Sequence, residues 1–397
     1  MRIAILASEF YPPYGGVGIY TQQLVKELSK RHEVHVFTAK RVPKKEVLNL
    51  FHNRIKLHYL CKAKGDFAYN FIFQIKLFFN FLRFHKKYRY DIIHSMNLVN
   101  MPDIFLKFKH NIPTVVTAHS SIWTQMDATL SSNKNIFQMG PSERGSLVVF
   151  PIIAFLEWLY LKKTKYMITV SNEFVKYFKK RGFKKKIFAV HNGIDPKIYD
   201  HKKVKKRKDI MEQKGLKVLF VGRLLAQKGI KVLVKAMKEF DDDVHFYVAG
   251  NGGVKEFHEL LKNNGIPKSK ATFLGFIKNN DLPTVYKACD VFVLPSFSEN
   301  FPITLLEAMS MKCATISSDV GAVKELIKDK KTGILLRPGS VEDLVNAIRM
   351  LKDDKRLREK IARDAYYNVL NNLTTDSMAR NTEKIYMDIL KNRGMRR

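Results

Sequence analysis

Short apolar runs alternate with amphipathic stretches along most of the 397 residues. RIAILAS (2–8), EVHVFTA (33–39), RIKLHYL (54–60), DIIHSM (91–96), TVVTAH (114–119), YMITVS (166–171) and IFAVHNG (187–193) form a first series. After a charged interval, LKVLFVG (216–222), VHFYVAG (244–250), ATFLGF (271–276), VFVLPS (291–296), CATISS (313–318) and GILLRP (333–338) form a second. Runs this short and apolar predict strands buried in parallel sheets, and the amphipathic stretches between them predict crossover helices. Residues 19–31 (IYTQQLVKELSKR), 340–371 and 374–391 read as helices. The fold class is therefore α/β, with two Rossmann-like domains instead of one long sheet. The boundaries expected are 1–195 for the first domain, 196–215 for a basic linker and 216–373 for the second. A terminal helix, 374–397, is expected to pack back on the first domain.

Two apolar segments differ from the rest. FAYNFIFQIKLFFNFLRF (67–84) has 13 apolar positions out of 18, and its polar residues fall within about half of the helical circumference. It reads as an amphipathic helix, either facing a core or lying at an interface, the latter favoured by seven Phe and the following HKKYRY. LVVFPIIAFLEWLYL (147–161) is too short to span a bilayer, and Glu157 interrupts it. It reads as core or interdomain packing.

Charge adds a second layer. Seventy Lys and Arg against 37 Asp and Glu give +33, unevenly spread: residues 40–90 carry +11 and residues 176–217 carry +12. Solvated lysine-rich faces would explain this, as would an anionic membrane surface, nucleic acid or an anionic small substrate. Cys61, Cys289 and Cys313 stand far apart, suiting a reducing cytosol and offering no zinc box. MRIAILAS lacks the regions of a signal peptide, so the expected location is cytoplasmic, with peripheral attachment to the inner membrane face as the option the charge suggests.

Candidate chemistry concentrates in the second series. FVGRLLAQKG (220–229) puts Arg223 at a strand end and Lys228 where the next helix opens, a natural diphosphate clamp at the carboxyl edge of a parallel sheet. VFVLPSFSENFPITLLEAMSM (291–311) puts Glu299 in the loop after a buried strand and Glu307 eight positions on, within a helix whose first turn suits Pro302. Helix-end amides around Asn300 and Phe301 would face the same cations. A carboxylate can accept from two vicinal hydroxyls, so cations for phosphates and acids for sugars describe a holder of a nucleotide sugar.

These segments resemble the retaining nucleotide-sugar glycosyltransferases of family four. The spaced glutamates match that family's E-x7-E motif within S-F-S-E-N-F-P-…-L-L-E-A-M; GRLLAQKG resembles its phosphate-binding segment and VAGNG (248–252) its next strand and turn. SNEF (171–174) and HNGID (191–195) resemble the segments closing its first domain. The resemblance implies a GT-B architecture, two domains facing a central cleft, with the first receiving the acceptor and the second the donor. It implies that Glu307 binds the donor ribose, that Glu299 faces the transferred sugar, and that Arg223, Lys228 and the amides near Asn300 and Phe301 hold the diphosphate. Asn300 stands where the family commonly has glycine.

In the first domain, PPYGGVG (12–18) offers Gly15, Gly16 and Gly18, a weak dinucleotide fingerprint that by resemblance becomes the glycine loop near donor and acceptor. His119 matches the family's histidine beside the donor sugar, although Ser120 follows where Asp is common. Asp241–Asp243 could suggest a metal-binding D-x-D, but it precedes a strand and lies away from the carboxyl edge. No metal site and no cofactor are therefore expected, the nucleotide sugar (UDP- or GDP-linked) being a co-substrate.

The activity expected is hexose transfer to a hydroxyl acceptor, lipid-linked or a growing glycan, with retention. An epimerase or phosphorylase of the same fold is the near alternative, and a basic nucleic-acid-binding protein the distant one. Nucleic acid is not expected as a partner, since no RNP-like or KH-like motif accompanies the charge.

Overall fold

A computed structural model describes residues 1–13, 15–51, 53–63, 68–96, 111–132, 141–250 and 254–394. Tyr14, Phe67 and the Asn251–Gly252 turn of the VAGNG segment lie outside the described residues, as does the side chain of Phe71. The chain divides into two compact units. Unit 1 takes in Met1–Thr124, Gly145–Gly193 and Thr375–Arg397, and unit 2 takes in Gln125–Arg144 and Ile194–Thr374.

Unit 1 holds a seven-stranded parallel sheet. Its strands are β1 (Arg2–Leu6), β2 (Glu33–Lys40), β3 (Ile55–Lys62), β4 (Ile92–Ser95), β5 (Thr114–Ala118), β6 (Tyr166–Thr169) and β7 (Lys186–Ala189), in the order β3-β2-β1-β4-β5-β6-β7. The helices used below are α1 (Gly16–Leu28), α2 (Ala68–Tyr88), α3 (Pro141–Lys163), α4 (Asn172–Lys180) and α7 (Thr375–Gly394) in unit 1, and α5 (Ile230–Met237) and α6 (Ile303–Ser310) in unit 2.

Side-chain alternation splits the core of unit 1 in two. Ile3 and Ile5 of β1 face α1 and α7, packing with Tyr20, Leu24, Ala379 and Tyr386, whereas Ala4 and Leu6 face α2 through Phe73, Leu77 and Phe81. The terminal helix is bolted to the sheet by polar contacts as well. His94, wholly buried on β4, is hydrogen-bonded to the Tyr386 hydroxyl through Nδ1 and to Thr117 Oγ1 through Nε2 at 2.6 Å. Burial pushes the His94 pKa down to about 3, so the ring serves as a neutral joint.

Unit 2 holds β8 (Leu216–Val221), β9 (Val244–Ala249), β10 (Ala271–Gly275), β11 (Val291–Leu294), β12 (Ala314–Ser318) and β13 (Ile334–Leu336), all parallel, in the order β10-β9-β8-β11-β12-β13. The four residues of β11 are fully enclosed, as its apolar run predicts; the five of β12 are enclosed too, its Thr315 and Ser317 hydroxyls donating to the Thr332 and Leu294 carbonyls.

Three expectations change. Residues 196–215 are not a free linker but part of unit 2: Tyr199 and Ile210 are buried, and Lys287 Nζ donates to the carbonyls of His201 and Val204. The lysine run masked these anchors because charge dominates its composition. The 340–371 stretch is two helices, broken at Asp354, whose carboxylate accepts from the Leu357 amide and starts the second. Finally, the 147–161 segment is not simply core. In α3, Ala154, Glu157 and Tyr160 turn inward, while Ile152, Phe155 and Trp158 are 64 %, 59 % and 49 % exposed. Among the described residues, no helix is long and apolar enough to cross a membrane.

Candidate functional site

The order of the unit 2 sheet reverses between β8 and β11, which pair directly. Crossovers leave such a point in opposite directions and open a crevice beyond the carboxyl ends of the two strands. The loop after β8 carries Arg223 and Lys228, the loop after β11 carries Glu299, and helix α6 that follows it carries Glu307.

The loop after β8 begins with Arg223, which is exposed and pairs with no acid among the described residues. Ala226–Lys228 then form one 3₁₀ turn, and Gly229, at φ +76°, passes the chain into α5. A Cβ at Gly229 would sit 1.9 Å from the Pro295 carbonyl oxygen, so glycine is needed both for the left-handed backbone and for the close approach of the two loops. The Phe297 amide donates to the Gln227 carbonyl at 2.9 Å and ties the same loops together.

That seam brings Lys228 to Glu299. Lys228 Nζ donates to Glu299 Oε1 at 2.7 Å, and Ser296 Oγ donates to the same oxygen at 2.8 Å. The Glu299 side chain is 8 % exposed and that of Lys228 26 %. An ammonium has three N–H donors, so this pair leaves Lys228 capacity for an anionic ligand. Phe301 is buried, and Pro302 stands at the N-cap of α6, one position before the first turn where it was expected. No acid occupies the first turn of α6, which keeps the positive end of its dipole uncompensated from within the helix. Asn300 lies half-buried in the same loop.

Glu307, one turn further along α6, is 2 % exposed. Tyr199 donates to its Oε1 at 2.7 Å and Tyr286 to its Oε2 at 2.9 Å. Burial pushes the carboxyl up to about 7 against the opposing pull of both phenols. The residue expected to meet ribose hydroxyls thus has each oxygen already accepting one hydrogen bond, and any sugar hydroxyl would use the remaining lone pairs.

Unit 1 presents its residues separately. Gly15 caps α1 and Gly16 opens it. The Gly15 amide donates to Glu9 Oε1 at 2.9 Å, and a Cβ at Gly18 would lie 2.6 Å from that oxygen. The glycines therefore accommodate a carboxylate of the chain itself at the start of α1. His119, just beyond β5, packs edge-to-face on Tyr20 with ring centroids 4.5 Å apart, and burial holds its pKa down at about 3. It is neutral at physiological pH and can donate or accept one hydrogen bond at each nitrogen according to tautomer. Asp243 of the acidic triplet pairs with Lys352 at 2.6 Å, directly ahead of β9 as expected.

The profile described as Glycosyltransferase Family 4 matches residues 14–198, and that described as Glycosyl transferases group 1 matches residues 201–367. The chain belongs to the family 4 glycosyltransferases. An uncharacterized glycosyltransferase of Methanocaldococcus jannaschii is 28 % identical over 408 residues, covering 97 % of this chain and 98 % of that one. Among solved structures, sucrose-phosphate synthase of Thermosynechococcus elongatus superposes with a TM-score of 0.84 at 21 % identity, covering 99 % of this chain and 100 % of that one. Anabaena HepE in complex with UDP-glucose superposes with a TM-score of 0.74 at 20 % identity, covering 98 % and 100 %. The GT-B fold of this glycosyltransferase is thereby established.

Sequence reading missed four contributors in this glycosyltransferase: Glu9, Tyr199, Ser296 and Tyr286. Ser296 lies inside the quoted S-F-S-E frame and could have been found there. The tyrosines are 108 and 21 residues from their carboxylate, and spacing gives no signal for such pairs.

Proposed function

We propose that this glycosyltransferase moves a hexose from a nucleoside-diphosphate sugar to a hydroxyl acceptor with retention of anomeric configuration, without a metal ion. The observation that carries the reading is the Lys228–Glu299 pair, at the strand ends where the unit 2 sheet reverses, with Arg223 in the same loop as Lys228. Arg223 and Lys228 meet the charge that develops on the departing diphosphate, and the start of α6 adds its dipole. Glu299, held by Lys228 and Ser296, presents a fixed acceptor to sugar hydroxyls. The UDP-glucose held by the Anabaena neighbour supports a nucleotide sugar as the donor class. The acceptor is proposed to be presented at an anionic membrane surface, a reading supported by the +11 of residues 40–90.

A thermal-shift panel of UDP- and GDP-sugars, followed by donor hydrolysis and anomer analysis by NMR, tests this. One nucleotide sugar should raise the melting temperature and be cleaved with retention. Stabilisation by polyanions alone, with no sugar nucleotide effective, would overturn it in favour of a nucleic-acid binder.

A further inference from the structure

Helix α3 is built inside out. Its one acid beyond residue 145, Glu157, is 3 % exposed. Ser121 Oγ donates to Glu157 Oε1 at 2.6 Å and the Ile122 amide to Oε2 at 2.8 Å, so the carboxylate caps the start of the helix Ile122–Ser132, which precedes α3 in the chain. Burial raises its pKa, and the two donors oppose that rise. With the polar residue turned inward, Ile152, Phe155 and Trp158 project outward at every third position. Lys162 Nζ lies 3.8 Å from the Trp158 ring centroid, extending the stripe with a cation.

Helix α2 repeats the pattern. Phe73, Leu77 and Phe81 pack on the sheet, and Ile72, Ile75 and Phe79 face outward at 46 %, 43 % and 70 % exposure. Register shows that α2 and α3 cover the same sheet face. Ile93, which packs against α2, points the same way as Ser95; Ser95 pairs with Val116; and Val116 packs against Tyr160 of α3. The charges on this layer are mostly positive. Residues 68–88 contain Lys76, Arg83, Lys86 and Lys87 and no acid, and α3 ends in Lys162 and Lys163. Helix α4, on the same face through Phe174 and Phe178, adds Lys176, Lys179 and Lys180 against the single acid Glu173.

We infer that this two-helix face docks on an anionic lipid bilayer, with Ile152, Phe155 and Trp158 of α3 entering the interface and the flanking lysines meeting lipid headgroups. An aromatic and aliphatic stripe bordered by cations, on a layer almost without exposed acids, complements an anionic interface. Lysine stems can lie along the apolar stripe while their ammonium groups reach outward. The inference rests on the membrane reading above and names the side chains that carry it.

The chain has two tryptophans, so Trp123→Phe leaves Trp158 as sole reporter. Its emission should shift to shorter wavelength and be quenched by brominated acyl chains on vesicles of phosphatidylcholine with phosphatidylglycerol. Phosphatidylcholine alone should do neither. Replacing Ile152, Phe155 and Trp158 together with Ser should lower vesicle partition by roughly tenfold or more and leave donor hydrolysis in solution unchanged. If that variant fails to fold, the Trp158 fluorescence decides alone. Wild-type protein that ignores anionic vesicles at low salt overturns the membrane reading and this inference with it. Wild-type binding with Trp158 still in water, or undiminished by the triple substitution, overturns this inference alone. So does a concentration-dependent dimer that the triple substitution abolishes while vesicle binding persists, because the stripe would then be covered by a second copy.

Discussion

Glu307→Gln should stabilise unit 2 at alkaline pH and do little at acid pH. The wild-type carboxyl is fully enclosed and its pKa is raised from 4.5 to about 7, mainly by burial. Below about pH 4.5, folded and unfolded chains both hold the proton, and the group contributes no difference. Between 4.5 and about 7 the unfolded chain releases it while the fold retains it, so stability falls as pH rises. Above about 7 the fold carries the whole penalty. At roughly 1.4 kcal/mol per unit, a rise from 4.5 to about 7 amounts to about 3 kcal/mol. Glutamine removes the ionisation and keeps the shape: its carbonyl accepts from one phenol, and its amide donates to the other once that hydroxyl turns. Wild type and variant should therefore melt alike near pH 4. At pH 8 the variant should gain up to about 3 kcal/mol, roughly 6–12 °C for a unit of this size. Differential scanning calorimetry of the full chain at both pH values supplies the comparison. Two melting curves offset by a constant amount at all pH values would refute the reasoning, because the carboxyl would then titrate like an exposed one.

Arg223→Ala and Lys228→Ala should each lower turnover by roughly 10²-fold, by analogy with removing one preorganised contact to developing charge. They should separate in stability: loss of exposed Arg223 leaves the melting temperature unmoved, whereas loss of Lys228 strands the 8 %-exposed Glu299 and destabilises by about 1–3 kcal/mol. Glu307→Ala should weaken binding of the free nucleoside diphosphate product, and Glu299→Ala should impair transfer with product affinity nearly intact. Isothermal titration on both variants measures this, and equal losses would mean the acids are misassigned. Turnover should survive saturating EDTA; complete loss, restored by magnesium or manganese, would count against the metal-free reading.

Strands buried on both faces, such as β1 and β11, were legible as apolar runs without polar alternation, whereas the edge strand β3 (IKLHYLCK) was legible through its alternation. The reversal between β8 and β11 was not visible, since strand order depends on crossovers that composition does not encode. The Lys228–Glu299 pair was legible because its members lie in two short loops after neighbouring strands. Tyr199 was hidden in a lysine-rich stretch, and its carboxylate lies more than a hundred residues away. Glu157 misled for a different reason. The 147–161 segment read as core or interdomain packing interrupted by Glu157, yet two donors hold that acid inward while Ile152, Phe155 and Trp158 turn out.

The return of α7 to unit 1 bears on the order of events during synthesis. Residues 1–193 can leave the ribosome and pair their strands, yet the sheet face that Tyr386, Ile385 and Ile389 cover stays bare, and His94 lacks its phenol. Unit 2 has no such wait, because its final residue, Thr374, is translated before α7 begins. The half of the protein made second is thus able to finish first, and the nascent first half carries an apolar wound that only the closing segment dresses. A chaperone that binds exposed apolar surface has its longest opportunity there, during translation of the whole second unit.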